Sequence, residues 1–385
     1  MMYFRLNPEC YYIKGAKNGA IYDLIEGNVY ALTSDESRMI EACEKNGEAD
    51  PQDPFLRDLK HRVVGNFYPT KVFIEKIRLG SPIAEYQEGN PPVISVAVLE
   101  IGNECDRSCW YCGQSGISRS RGCLGCNIWA EDGTPVGMDR WKELIDELSR
   151  LHCMSILVKG GDLTRDWEKT REILEYATEH CKKVILIGHR EHFSEDKLAY
   201  LENKVTLILQ TDDLSGIGDR HSYLFPVDYA KSPELSGDLP KNVMIDMVSR
   251  TFTPLQPGSP LNAKKKIPRT NLFTFTHHNR LHPCLANSVT IAWNGEVLPC
   301  PMMRDHSLGN INNRKLWTFF RNTEDSIQKK YWNLSLNDLD KCSACEFRYS
   351  CSDCRALETA KTGDLKRKVL CDYDPSEGTW QQPAA

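Results

Sequence analysis

Hydrophobic and polar positions divide the chain into three textures. Residues 9 to 33 alternate short strand-like runs with turns: Cys10 to Lys14, Ala20 to Leu24, a Glu26-Gly27-Asn28 turn, then Val29 to Leu32. This pattern predicts a small antiparallel sheet. Thr33 with Glu36 three residues on fits a capping box, and Met39, Ile40 and Cys43 give the following helix one apolar face before Gly47 stops it. A second short helix over Pro54 to His61 and a strand over Lys71 to Ile77 complete a unit spanning residues 1–80. Gly80 to Pro92, punctuated by proline and glycine, reads as a linker.

From Val93 apolar runs of strand length alternate with amphipathic helices, the pattern of a parallel α/β sheet. The runs are Val93 to Ile101, Ser155 to Lys159, Val184 to Gly188, Val205 to Gln210 and Val243 to Val248. Helices are predicted at Asp139 to Leu151, Arg165 to His180 and Glu195 to Asn203. Sheets of this kind bind ligands at the carboxyl ends of their strands. The alternation fades at about His277, and cysteines take its place. The predicted units are therefore 1–80, 93–276 and 277–385.

Composition narrows the function. The 385 residues are 41% hydrophobic and 26% charged, which excludes a disordered or fibrous chain. A net charge of -5 without a block of like charge argues against nucleic-acid or membrane-surface binding. The start has no apolar core of signal-peptide length, and no run reaches the roughly 18 apolar residues of a membrane span, so a cytoplasmic location is expected. Sixteen cysteines are too sparse for a small disulfide scaffold, yet they cluster. In a reducing compartment grouped cysteines point to metal or redox chemistry rather than to disulfides.

Directly after the first α/β strand stands Cys105-x3-Cys109-x2-Cys112. Three thiolates on a four-iron, four-sulfur cluster leave one iron open, whereas structural zinc normally takes four protein ligands. A zinc site completed from elsewhere is the alternative. The triplet, with aromatic Tyr111 before its last cysteine, resembles the radical S-adenosylmethionine superfamily. The next strand ends in Lys159-Gly160-Gly161-Asp162-Leu163, similar to the Gly-Gly-Glu-Pro segment with which that family binds the methionyl amine, with Asp162 for Glu and Leu163 for Pro. Gln210 at its strand end and Arg220 ten residues later occupy places where family members contact the ribose and carboxylate of the cosubstrate; strand-end polar residues without that role are the alternative. The resemblance implies a partial (β/α)6 TIM-like barrel, S-adenosylmethionine as cosubstrate, and a reductant such as flavodoxin or ferredoxin.

A second pattern follows: Cys284, Gly295 and Cys300, then Cys342-x2-Cys345-x5-Cys351-x2-Cys354, and Cys371. It resembles the SPASM extension of radical enzymes that modify peptides and proteins. Trp293-Asn294-Gly295-Glu296 between two strand-like runs signals a type I′ hairpin that brings Cys284 and Cys300 together. By the family's interleaving, Cys342, Cys345, Cys351 and Cys371 close one auxiliary cluster. Cys284, Cys300 and Cys354 hold another, one ligand short, with His282 in reserve or its iron open to a substrate thiolate. Three clusters are thus implied. Zinc knuckles are the alternative here. Cys123-x2-Cys126 fits neither pattern, and Cys10, Cys43, Cys153 and Cys181 sit in apolar contexts that suit buried small hydrophobes.

Three short strands and a helix ahead of such an enzyme resemble the winged-helix element that recognises ribosomal precursor peptides, where a leader adds as a strand to the sheet edge. The function implied is a peptide maturase installing a crosslink on a ribosomally made precursor. A thioether comes first; carbon-carbon bond formation or epimerisation follows. Sulfatase-maturing enzymes share the cysteine pattern but carry an Asp after the hairpin cysteine, where this chain has Pro301 and Met302. A non-catalytic zinc protein is the remaining alternative.

Overall fold

The computed structural model describes residues 2–80, 93–112, 118–119, 125–228, 239–249, 267–321 and 323–380. Most of the expected linker, and Cys123, lie outside them. The amino-terminal part contains β1 (Tyr3–Leu6), β2 (Cys10–Lys14), β3 (Gly19–Asp23), β4 (Val29–Leu32), α1 (Ser34–Glu44), α2 (Pro54–His61) and β5 (Gly65–Tyr68). Strands β2, β3 and β4 form an antiparallel sheet in that order, with β4 at its edge. Thr33 caps α1 through both halves of a capping box. Phe4, Leu6, Ile21, Ile40, Leu56 and Leu59 share one core with Cys10 and Cys43, where burial pushes the Cys10 thiol up to about 12.

The strand expected over Lys71 to Ile77 is absent. In its place β5 pairs antiparallel with β1, Tyr3 opposite Tyr68 and Leu6 opposite Gly65. Gly65 permits this, because a Cβ there would stand 2.5 Å from the Phe4 ring. Residues 71–77 run alongside without a ladder. Lys76 Nζ ties them down by donating to the carbonyls of Leu6, Asn7 and Cys10 at 3.2, 3.1 and 2.8 Å.

The central sheet is built from β6 (Val96–Glu100), β7 (Ser118–Arg119), β8 (Ser155–Lys159), β9 (Val184–His189), β10 (Thr206–Gln210), β11 (Ser222–Asp228) and β12 (Val243–Ser249). Between them lie α3 (Met138–Arg150), α4 (Trp167–His180) and α5 (Glu195–Glu202). Six strands, β6, β8, β9, β10, β11 and β12, run parallel in sequence order, the partial (β/α)6 barrel expected. β11 was hidden in the sequence by Pro226, which interrupts its apolar run and sits opposite Asp246 of β12.

The cysteine-rich third adds α6 (Leu272–Arg280), β13 (Ser288–Ile291), β14 (Val297–Leu298), α7 (Arg355–Thr362), β15 (Tyr373–Asp374) and β16 (Thr379–Trp380). Its hairpin belongs to the barrel sheet: β13 pairs parallel with β6, Ser288 opposite Val96 and Ile291 opposite Leu99. The hairpin is not of type I′. Gly295 N–H donates to Ala292 C=O and only Gly295 takes positive φ, 91°, while Ala292 N–H reaches Glu296 C=O. That is a three-residue turn closed by a left-handed glycine. Among the described residues no helix is long and apolar enough to cross a membrane.

Candidate metal centres

Four neighbouring parallel strands end in buried polar residues: Glu100 on β6, Lys159 on β8, His189 on β9 and Gln210 on β10. Above this rim lies the loop 101–112, and Cys105, Cys109 and Cys112 line one pocket there together with Cys126, His189 and His192. Residue types explain the placement. A Cβ on Gly160 would meet Gly102 O at 2.3 Å and one on Gly161 would meet Glu104 O at 2.3 Å, so the glycine pair lets the β8 turn press onto the backbone that leads into Cys105. Asp162 N–H donates to Glu104 C=O at 2.7 Å, and its carboxylate accepts from Thr164 N and Oγ1 at 2.9 and 2.7 Å. The Gly-Gly-Asp segment and the cysteine loop are one packed unit.

Arg107 N–H donates to Cys105 Sγ at 3.4 Å, and Ile128 N–H to Cys112 Sγ at 3.5 Å. Such donors stabilise thiolate, while burial first, and then the charges of Cys109, Asp162 and Cys112, raise the Cys105 pKa. Three soft donors facing one pocket fit an iron-sulfur cluster. Ligand atoms of Cys109, His189 and Asp212 also lie within 4.8 Å of one another. Asp212 is held down at about 2, first by the His189 hydrogen bond and then, against burial, by Tyr111 and Arg107. Its carboxylate anchors Arg107 at 3.1 Å, which orders the loop between Cys105 and Cys109.

Tyr111 is buried, its ring edge-to-face with Trp110 at 5.4 Å between centroids. Gln210 is fully buried, and its Oε1 accepts from Cys126 N at 2.9 Å while Nε2 has no protein partner. A buried amide donor left over beside the pocket is what a bound cosubstrate would satisfy. Arg220 lies elsewhere: it is exposed and pairs with Glu202 at the end of α5. His189, His192 and Asp212 belong to no spaced motif; only their places at or just past the ends of β9 and β10 mark them in the sequence.

Cys342 and Cys345 are buried or half-buried on a tight turn, Cys345 N–H donating to Cys342 C=O at 2.9 Å. Burial raises both thiols, and the charges of Cys351 and Cys371 raise both further, so these four sulfurs share one neighbourhood. Ionising them together requires compensating positive charge, which bound iron provides. Cys284 is exposed, Cys300 is buried behind β14, and Cys354 is the N-cap residue of α7. None of the described cysteines is disulfide-bonded.

Residues 283–355 match the SPASM family, an iron-sulfur cluster-binding domain. No curated protein matches the chain. Among solved structures, SuiB of Streptococcus suis bound to S-adenosylmethionine aligns with a TM-score of 0.48 at 12% identity, over 95% of this chain and 99% of that one. Native anSMEcpe with bound AdoMet gives 0.47 at 14%, over 71% and 92%. BtrN in complex with AdoMet and 2-DOIA gives 0.39 at 17%, over 68% and 99%.

His282, the reserve ligand, stands one residue before the matched region. Its imidazole is fully buried with both nitrogens engaged: Nδ1 accepts from Cys284 N at 3.0 Å and Leu285 N at 2.9 Å, and Nε2 faces Asp353 Oδ2 at 3.1 Å. Through these backbone hydrogen bonds it shapes the Cys284 loop. Asp353 is fully buried; burial opposes its charge, but Lys368, His282 and Arg355 hold it well below the usual carboxylate range. Arg304 ties the chain after Cys300 to the end of the barrel strand β6. Arg304, four residues on, grips Glu131 with two nitrogens at 2.6 and 2.5 Å and Glu100 at 2.8 Å. The partly buried bidentate pair with Glu131 and the bond to Glu100 join the SPASM region to the end of β6.

Proposed function

We propose that this chain is a radical S-adenosylmethionine enzyme whose substrate is a ribosomally synthesised precursor peptide, in which it installs a crosslink, a thioether before a carbon-carbon bond. The supporting observation is the packed unit of Cys105, Cys109, Cys112 and Gly160-Gly161-Asp162 at the carboxyl rim of the barrel, hydrogen-bonded through β6 and β13 to the SPASM region. Cys105, Cys109 and Cys112 hold the first cluster; Cys342, Cys345, Cys351 and Cys371 the second; Cys284, Cys300 and Cys354 the third. A cluster held by Cys105, Cys109 and Cys112 and reduced by one electron from a flavodoxin- or ferredoxin-class donor would supply the chemistry to cleave the bound sulfonium reductively, releasing methionine, for hydrogen abstraction from an unactivated carbon. The chain's own residues orient and enclose. Asp162 takes the cosubstrate amine, Gln210 Nε2 donates to the cosubstrate ribose, and the Arg304–Glu100–Glu131 triad holds the SPASM cysteines over the barrel mouth.

The engagement of His282 favours an open iron in the third cluster, next to exposed Cys284, as the place where a substrate thiolate binds. The edge strand β4, next to α1, is where a leader would add as a further strand. The decisive experiment counts metal and product. Anaerobically reconstituted protein should hold about twelve irons, and changing Cys105, Cys109 and Cys112 together to Ala should remove about a third of them and abolish 5′-deoxyadenosine formation. Zinc without iron, or activity surviving in the triple variant, refutes the reading. Precursor should also perturb the third cluster's spectrum, and precursor with its cysteines changed to Ser should bind without doing so. Equal perturbation by both peptides rules out thiolate ligation and with it the thioether.

A further inference from the structure

Three stretches of the cysteine-rich region meet at one lysine. Lys368 stands three residues before Cys371, and its backbone N–H donates at 3.1 Å to Asp340 Oδ1, two residues before Cys342. Its ammonium lies 2.6 Å from Oδ1 of Asp353, which sits between Cys351 and Cys354, and 2.8 Å from Glu358 Oε1 on α7. The Lys368 side chain is 9% exposed, and both carboxylates are buried. An ammonium held between two buried carboxylates keeps its charge.

Neither carboxylate depends on Lys368 for hydrogen bonds. Arg355 grips Asp353 through Nε and Nη2, and His282 Nε2 faces the same group at 3.1 Å. Glu358 accepts from Val369 N–H at 2.8 Å and from Leu370 N–H at 3.2 Å. Arg355 is also committed to the backbone, donating from Nη1 to Leu365 C=O at 3.0 Å and Arg367 C=O at 3.1 Å. A second buried ion pair beside Asp353 and Arg355 adds little stability, because desolvation offsets its attraction. What Lys368 and Glu358 add is the placement of charge. Burial raises the Cys342 thiol, and the Lys368 charge opposes that rise. Burial disfavours the Lys368 charge in turn, while Asp353 and Glu358, then Cys351 and Cys342, favour it.

We propose that Lys368 acts on the second auxiliary cluster as a fixed cation, setting the potential at which a cluster on Cys342, Cys345, Cys351 and Cys371 accepts an electron, with Glu358 as the opposing charge. This rests on the iron-sulfur reading of those four cysteines and adds to it the residue that tunes the site. Four thiolates give such a cluster a net negative charge that grows on reduction, and a cation nearby in a low-dielectric interior favours the reduced form.

The test is a redox titration followed by electron paramagnetic resonance on full-length, anaerobically reconstituted protein: wild type, Lys368→Met, Glu358→Gln, the two combined, and Lys368→Arg. The second cluster's signal is the one missing when Cys342 and Cys345 are changed to Ala. The signal missing when Cys105, Cys109 and Cys112 are changed to Ala is the internal reference. At a fixed potential Lys368→Met should lower the ratio of reduced to oxidised second cluster about tenfold, a shift of about 59 mV for one electron, and Glu358→Gln should raise it by a similar factor. The combined variant and Lys368→Arg should stay close to wild type, and the reference should not move. Opposite signs separate charge from packing, because a loosened loop would shift both single variants the same way. Should Lys368→Met lose iron, Glu358→Gln and Lys368→Arg still decide. Single variants that shift alike, a Glu358→Gln protein that does not shift, or a Lys368→Arg protein displaced from wild type overturns the role of Lys368. If changing Cys342 and Cys345 removes no iron and no signal, the iron-sulfur reading of that site fails, and the proposal with it.

Discussion

Tyr22 links the amino-terminal sheet to the turn that carries Cys342 and Cys345. It is fully buried, its hydroxyl donates to Glu346 C=O at 2.8 Å, and its ring packs edge-on against Phe275 and Tyr349 with centroids 5.0 and 6.2 Å away. Ala16 N–H reaches Ala344 C=O at 2.8 Å on the same loop, between Cys342 and Cys345. Tyr22→Phe removes one hydrogen bond and leaves a buried carbonyl unpaired, a cost of about 1–2 kcal/mol. Tyr22→Ala also empties an aromatic site, which costs about 3–5 kcal/mol. If that loss falls on the loop's opening equilibrium, the open population rises about tenfold for Phe and at least a hundredfold for Ala. Chelator stripping of reconstituted protein reads this directly, because iron leaves through the open form. About a third of the iron should leave faster in the order wild type, Phe, Ala, while the iron held by Cys105, Cys109 and Cys112 leaves at its wild-type rate. Equal stripping rates in all three proteins, alongside a lowered Tm, would show that the sheet folds independently of the cluster loop and would refute the reasoning. The same contact bears on truncation: deleting residues 1–80 should expose Phe275 and Tyr349 and cost auxiliary iron as well as precursor binding.

Gly160→Ala places a Cβ 2.3 Å from Gly102 O at a φ of 124°, so it should displace the loop into Cys105, lower the Tm and abolish S-adenosylmethionine cleavage; a variant with wild-type cleavage would refute the packing argument. His282→Ala strips the acceptor from Cys284 N–H and Leu285 N–H and a partner from Asp353, a loss of about 2–5 kcal/mol that should appear as third-cluster iron loss. His282→Gln, which keeps an acceptor, should restore part of that iron, whereas a cluster that requires an imidazole ligand would show no rescue.

Local chemistry was legible in the sequence. The spacings of Cys105, Cys109 and Cys112 and of the SPASM cysteines are set by covalent chain length, and the runs of β6, β8, β9, β10 and β12 by apolar content over a few residues. Periodicity of that kind reaches only as far as one element. The pairing of Tyr3 with Tyr68, of β13 with β6, and of Arg304 with Glu100 and Glu131 joins residues dozens to hundreds apart, and nothing local marks such partners. The strand expected at Lys71 to Ile77 failed for this reason: its alternation suits a strand, but Gly65 lets β5 take the edge of β1 first. The tertiary structure also decided which polar groups are spent and which remain. Along the chain a histidine two residues before a cysteine reads as a ligand; in space His282 has both nitrogens occupied. Hydrogen-bond satisfaction is a property of three-dimensional neighbours, and it is there that the functional residues separate from the structural ones.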